Sequence, residues 1–232
     1  MSDIFYDLET KDLIDTSNPD EDAAIRVLRL SVGATWCACH EEKFFHQTAP
    51  LTEHLLVHTR IIGFNILRFD NTILAWSPER PARDEFDPIT GKHRIIKPFP
   101  DAPEELKKIL DAKSFDLQAD LENRLGHRVG LAALAEATLG RAKAATAPQA
   151  VVWNRFAAIL RDKWSLALLD VGDQEGAQRV NELGRWFQER LEQYCLQDVY
   201  LVKKIFESGI ANKRVAFIDF EGERRVVKVQ WK

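Results

Sequence analysis

The chain has 232 residues, 45% of them hydrophobic and 29% charged, which is ordinary globular composition and enough apolar material for one large domain with its own core. A net charge of −4 and a pI of about 5.9 argue against a protein that coats nucleic acid through a strongly basic surface, while leaving room for a local basic patch. Three cysteines make no disulfide framework and fit a reducing compartment; with no basic-apolar leader and no run of about 18 apolar residues, the expectation is a soluble, cytoplasmic protein with no membrane partner.

Residues 4–8 are apolar and end in acids, which predicts a short buried strand. The alternation over 25–36 predicts a second strand and that over 43–47 a third. Polar residues 18–22, with Pro19, are the turn between the first two, so a three-stranded antiparallel meander is expected. Residues 51–58 then predict a short helix, 60–65 a buried strand and 70–76 a helix. The stretch 77–103 holds six of the nine prolines and reads as a long irregular loop with one short strand at 93–97. Residues 104–110 read as a helix, 114–117 as a short strand, and 118–125 and 131–139 as helices punctuated by Gly126, Gly130 and Gly140. After a loose small-residue segment at 141–148, residues 154–169 carry apolar positions at helical spacing, and 175–207 form a helical array broken near Gly184. Residues 215–231 show two alternating runs around Glu221-Gly222, a hairpin signal. The succession predicts an α/β fold whose sheet mixes antiparallel and parallel strands. It is expected as one domain over 1–210, with an insertion at 77–103 and a hairpin at 211–232 appended to it.

Three short patterns carry chemistry. Asp7 and Glu9 lie two apart at the end of the first strand, so alternation sends both side chains to one face. Two carboxylates leaving a buried strand together are costly unless a cation or a proton compensates them; the plainer reading is that they mark the strand's exposed end. Asp70 closes the segment GFNILRFD, five residues after Asn65 and one after Phe69, and alone could be an acid favoured at a helix N-terminus. Tyr194 and Asp198, four apart in ERLEQYCLQDVYLV, share a helical face, which alone describes a solvated acid beside a half-buried ring.

Taken in order, Asp-x-Glu on a strand, Asn-x3-Phe-Asp, and Tyr-x3-Asp on a late helix, the pattern resembles the DEDD superfamily of 3′–5′ exonucleases in its tyrosine-bearing (DEDDy) branch. That group includes proofreading domains of DNA polymerases and RNase D-like enzymes. The resemblance runs roughly from Ile4 to Glu207, and FDLQADLENRLGHRVGLAALAEATLG is similar to the stretch between the second and third motifs in small bacterial stand-alone members. It implies an RNase H-like (ribonuclease H-like) fold and hydrolysis of DNA or RNA from a single-stranded 3′ end, with two divalent metal ions, Mg²⁺ or Mn²⁺, releasing nucleoside 5′-monophosphates. It also implies roles. Asp7 bridges both ions, Glu9 and Asp198 complete the one that activates water, and Asp70 serves the second. Tyr194 orients the water, and Asn65 and Phe69 hold the terminal nucleotide. The proline-rich loop and the long segment 154–185 depart from the family's pattern and touch substrate preference more than chemistry.

Other features are weighed beside this one. Arg68 in the second motif, the cluster Lys92, His93, Arg94 and Lys97, and the cluster Arg224, Arg225 and Lys228 could each contact phosphates; a solvated charged surface explains any of them equally well. Cys37-Ala-Cys39-His40 suggests a metal, but Cys195 stands alone and no second cysteine pair closes a tetrahedron, so zinc is not expected. Trp153, Trp164 and Trp186 sit in helical patterns and are expected in the core. No Gly-rich phosphate loop occurs. Two rival functions are a structure-specific endonuclease of the same superfamily and a non-catalytic nucleic-acid-binding module; the Tyr-x3-Asp pattern favours the exonuclease.

Overall fold

The computed structural model describes residues 2–77, 83–87, 92–96, 102–141 and 146–232. Strand β1 (Asp3–Thr10) is followed by helix α1 (Glu21–Arg26), where a strand was expected to begin. Asp20 caps that helix by accepting from the Ala23 amide at 2.9 Å, and Glu21 and Asp22 fill its first turn. An acidic first turn behind an aspartate cap favours a helix, so β2 (Leu30–Cys37) starts only at Leu30. Then come β3 (Glu41–Phe45), α2 (Thr48–Leu56), β4 (Arg60–Gly63) and α3 (Asp70–Trp76).

The region expected as an irregular loop contains an antiparallel ribbon of β5 (Arg83–Asp87) with β6 (Lys92–Ile96). Five of its six prolines fall outside the described residues, and none falls within either strand, so both ladders keep their amides. Pro103 opens α4 (Pro103–Lys113), followed by β7 (Ser114–Asp116), α5 (Leu117–Leu125) and α6 (Leu131–Leu139). α7 (Ala147–Ile159) passes through a π-helical turn at Leu160–Trp164 into α8 (Ser165–Asp170). The long helix α9 (Gln174–Asn212) leads to the hairpin β8 (Arg214–Ile218) and β9 (Arg224–Lys228).

Among the described residues the main sheet has five strands in the order β3-β2-β1-β4-β7. β1 pairs antiparallel with β2 and parallel with β4, so the sheet is mixed, as the pattern predicted. The period-two alternation of the strands divides the core in two. Ile4, Tyr6, Leu8, Leu30 and Ile61 pack with α1, α2, α3 and α4 on one face. Phe5, Val32, Ala34 and Ile62 pack with α5, α6, α9 and the C-terminal hairpin on the other. No helix among the described residues is long and apolar enough to cross a membrane.

The break expected near Gly184 does not occur, and α9 runs on for 39 residues. Gly184 instead permits close approach, since a Cβ there would lie 2.6 Å from Arg161 Cγ and 3.3 Å from the Ala157 carbonyl oxygen. Trp153 packs beside the core, but Trp164 and Trp186 are 61% and 45% exposed, against expectation. Trp186 meets Phe187 edge-on and carries the Arg190 guanidinium over its ring. Helical spacing shows that such residues share a face but not whether anything covers that face.

The chain's end is built into the core. Trp231 is buried, stacks on Phe206 of α9 and donates its indole N–H to Asp120 at 2.8 Å. Gly209 makes room for it: a Cβ there would fall 2.2 Å from Trp231 Cε3. Alanine in place of glycine normally stabilises a helix by about 1 kcal/mol. Here Gly209→Ala is expected to destabilise the protein by about 1–3 kcal/mol through overpacking against a rigid ring. Urea unfolding measures this, and a more stable variant would show that Trp231 is not docked on α9.

Candidate active site

Alternation along β1 aims Phe5, Asp7 and Glu9 at the face covered by α9, opposite the Tyr6 and Leu8 side. On β2, Asp7 lies across from Ala34 and Glu9 from Val32, and the register slips between Glu9 and Thr10, a bulge at the strand's end. From above, α9 brings Tyr194 and Asp198, one turn apart and both 3% exposed. One carboxylate oxygen from each of Asp7, Glu9 and Asp198 lies within 4.8 Å of the other two.

Asp70 joins from the neighbouring unit. It is the first residue of α3, is buried, and its Oδ1 accepts from the Leu8 amide at 3.2 Å, between Asp7 and Glu9 in the chain. Burial raises its pKa well above the usual carboxylate range, and the charges of Asp7, Asp116 and Glu9 push the same way. The structure thus gathers Asp7, Glu9, Asp70, Tyr194 and Asp198 around one end of β1.

The remaining second-motif residues sit differently. Asn65 adopts a left-handed backbone at φ 64, which asparagine tolerates better than most residues. Phe69 is half-buried against the core beside α3. The Arg68 guanidinium pairs with Glu21 of α1. Lys92, His93 and Arg94 lie on β6, and Lys97 is outside the described residues. In the hairpin, Arg225 pairs with Asp219 at 2.7 Å and Arg224 donates to the Ala137 carbonyl; Lys228 ends β9.

Three features of the site escaped sequence reasoning. Asp116 is the N-cap of α5, and its buried carboxylate accepts from the amides of Asn65 at 2.8 Å, Leu67 at 3.0 Å, Gln118 at 2.9 Å and Ala119 at 3.3 Å. It therefore pins the loop that delivers Asp70; burial raises its pKa against the pull of those four amides. An aspartate just before an apolar helical run was the available signal. Cys195, adjacent to Tyr194, places its Sγ 3.3 Å from the Asp7 carbonyl and 3.7 Å from Asp7 Oδ2. Burial, then Asp7, Glu9 and Asp198, push that thiol far up, so it stays protonated. Third, a cavity of about 480 Å³ opens beside Leu191, one turn before Tyr194, lined by Lys11, Ser31, His46, Asn154, Arg161 and Gln188 among others. Within it His46 pairs with Glu192 at 3.1 Å; the contact raises the His46 pKa and lowers that of Glu192.

A second group of ligating side chains lies elsewhere, around Cys37 and Cys39, for which the sequence offered no second cysteine pair. Donor atoms of Cys37, Cys39 and His58 fall within 4.8 Å of one another. Burial holds the nearby His54 down to about 4 and also lowers His58, so both imidazoles are neutral at pH 7. No protein-family model, curated protein or solved structure matches the chain.

Asp70 carries a pH signature. A carboxyl whose folded pKa is raised contributes stability at low pH, and this is lost as pH rises from about 4, the ordinary aspartate value, through the folded value. Asp70→Asn keeps an oxygen for the Leu8 amide and removes the charge. In EDTA at pH 7.5 the variant is expected to melt above the wild type, with the gap closing as pH falls toward 4. A wild type that is the more stable at pH 7.5 would show that Asp70 is not crowded by the other acids.

Proposed function

We propose that the chain is a metal-dependent 3′–5′ exonuclease of the DEDDy kind on an RNase H-like fold, removing nucleoside 5′-monophosphates from the 3′ end of single-stranded DNA or RNA. The observation that carries this reading is the convergence of Asp7 with the buried Glu9 and Asp198, with Asp70 tied to the same strand and Tyr194 one turn from Asp198. A mixed sheet with the acids at the end of its central strand is compatible with that fold.

The donor set fits Mg²⁺ or Mn²⁺. It consists of carboxylate oxygens, which hard ions prefer, and the one soft donor beside it, Cys195, is kept protonated and is a poor ligand. Asp7, Glu9, Asp70 and Asp198 are the residues that would hold the metal, with Asp7 central to the set. Two such ions, when bound, supply the positive charge that activates a water and stabilises the leaving oxygen. Tyr194 hydrogen-bonds the attacking water and orients it. Asn65 and Phe69, on the loop pinned by Asp116, flank the terminal nucleotide. Arg68, paired with Glu21, and Lys11, His46 and Arg161, which line the adjacent cavity, are the basic groups close enough to contact phosphates.

With Mn²⁺, a 5′-labelled single strand is expected to shorten stepwise, and a 3′-terminal phosphorothioate should slow the ladder. A circular strand cut as fast as a linear one would replace this reading with an endonuclease. Tyr194→Phe keeps the ring packed against Trp153 and removes the hydroxyl. Turnover should fall roughly 10²-fold, the usual scale for a positioned proton-handling group, with metal affinity unchanged. Undiminished turnover would leave Tyr194 a packing residue.

A further inference from the structure

Cys37 ends β2, and Cys39 follows in the turn toward β3; His54 lies in the last turn of α2, and His58 precedes β4. Cys37 and His58 sit where β1 begins, since Ile4 pairs with Cys37 and Asp3 with Arg60, and the His54 ring lies 5.3 Å from that of His58. Asp7 and Glu9 are three and five residues further along β1, about 10–17 Å away at the rise of a strand, so this group is separate from the carboxylates.

The two sulfur atoms are neighbours at 2.7 Å, and both lie within 4.8 Å of a ring nitrogen of His58. His58 is 2% exposed. Its Nδ1 is hydrogen-bonded to Ser2 Oγ at 2.9 Å, while its buried Nε2 meets no hydrogen-bond partner. The Nε2 of His54 is buried and unpartnered too, and the two rings are 5.3 Å apart. Two buried ring nitrogens left without partners are costly unless something occupies them. His40, whose ring is 5.7 Å from that of His54, is exposed and stands outside the group.

We propose that Cys37, Cys39, His54 and His58 form a structural Zn²⁺ site that staples the β2–β3 turn to the end of α2. Two thiolates and two imidazoles are the donor set of closed tetrahedral zinc sites. Ser2 supplies the outer hydrogen bond that fixes a metal-bound histidine ring. On binding, each thiol releases its proton to solvent and each imidazole ligates in its neutral form. The site is independent of the exonuclease reading, and neither requires the other.

Protein purified without chelator is expected to carry about one zinc ion per chain. Cobalt substitution should give the intense visible bands of a tetrahedral site together with thiolate charge-transfer absorption. Cys39→Ser removes an exposed side chain and spares the core; it should lose the zinc and the charge-transfer band and melt at lower temperature, with a native circular-dichroism spectrum. His54→Ala should release zinc to a competing chelator at least about tenfold more readily, and His40→Ala should not. Asp7→Asn should retain the zinc, which separates this site from the carboxylate cluster. Zinc-free protein, with Cys37 and Cys39 either as free thiols or joined in a disulfide by mass spectrometry, would overturn the proposal, as would full zinc in Cys39→Ser. Greater loss from His40→Ala than from His54→Ala would overturn the choice of fourth ligand.

Discussion

β1 is hydrogen-bonded on both edges, and its side chains reach both cores. Ile4, Tyr6 and Leu8 commit one face to the packing with α2, α3 and α4, so Phe5, Asp7 and Glu9 must face α9. A slip of one residue would send the acids into an apolar core and the apolar residues toward the acids of α9, and both exchanges are expensive. The same hydrophobic alternation that places the strand therefore aims its carboxylates. Everything else at the site is brought to this strand: Asp198 on a helix packed across it, and Asp70 through the Leu8 amide.

Bringing acids together works against folding, and the local structure shows how the opposition is met. Asp116 is buried, yet four amides from two chain segments point at its oxygens. Backbone dipoles thus stabilise a negative charge without adding a positive side chain near the carboxylates of β1. Asp70 has less such support and carries a strongly raised pKa. The scaffold therefore concentrates its electrostatic cost at the carboxylates a cation could neutralise and relieves it at the one whose task is to hold a loop.

The site's main residues were legible because their spacings encode direction. Two residues apart on a strand and four apart on a helix each mean one face, and Asp7, Glu9, Tyr194 and Asp198 obey both rules. Asp116 was not legible because its partners at Asn65 and Leu67 lie about fifty residues away in the chain. The Cys37, Cys39 and His58 group was hidden for the same reason, since a search for a second cysteine pair passes over a histidine supplied from the far side of α2. At Gly184 the error was one of interpretation: glycine signals either a break or a close approach, and only the neighbour at Arg161 decides. The short helix α1 was masked by apolar residues that serve a strand pattern equally well, although Asp20 and the acids after it marked its start.

An α-helix advances about 100° in azimuth per residue, so residue count alone sets the phase between any two contacts on α9. Three of them are spaced along that axle: Gly184 against α7, Tyr194 and Asp198 over β1, and Gly209 under Trp231. One residue added between 184 and 194 would turn the helix's front section relative to the acids. One added between 198 and 209 would put the acids and the docked indole out of phase, so that the helix could satisfy one and not both. Along this helix, length is timing.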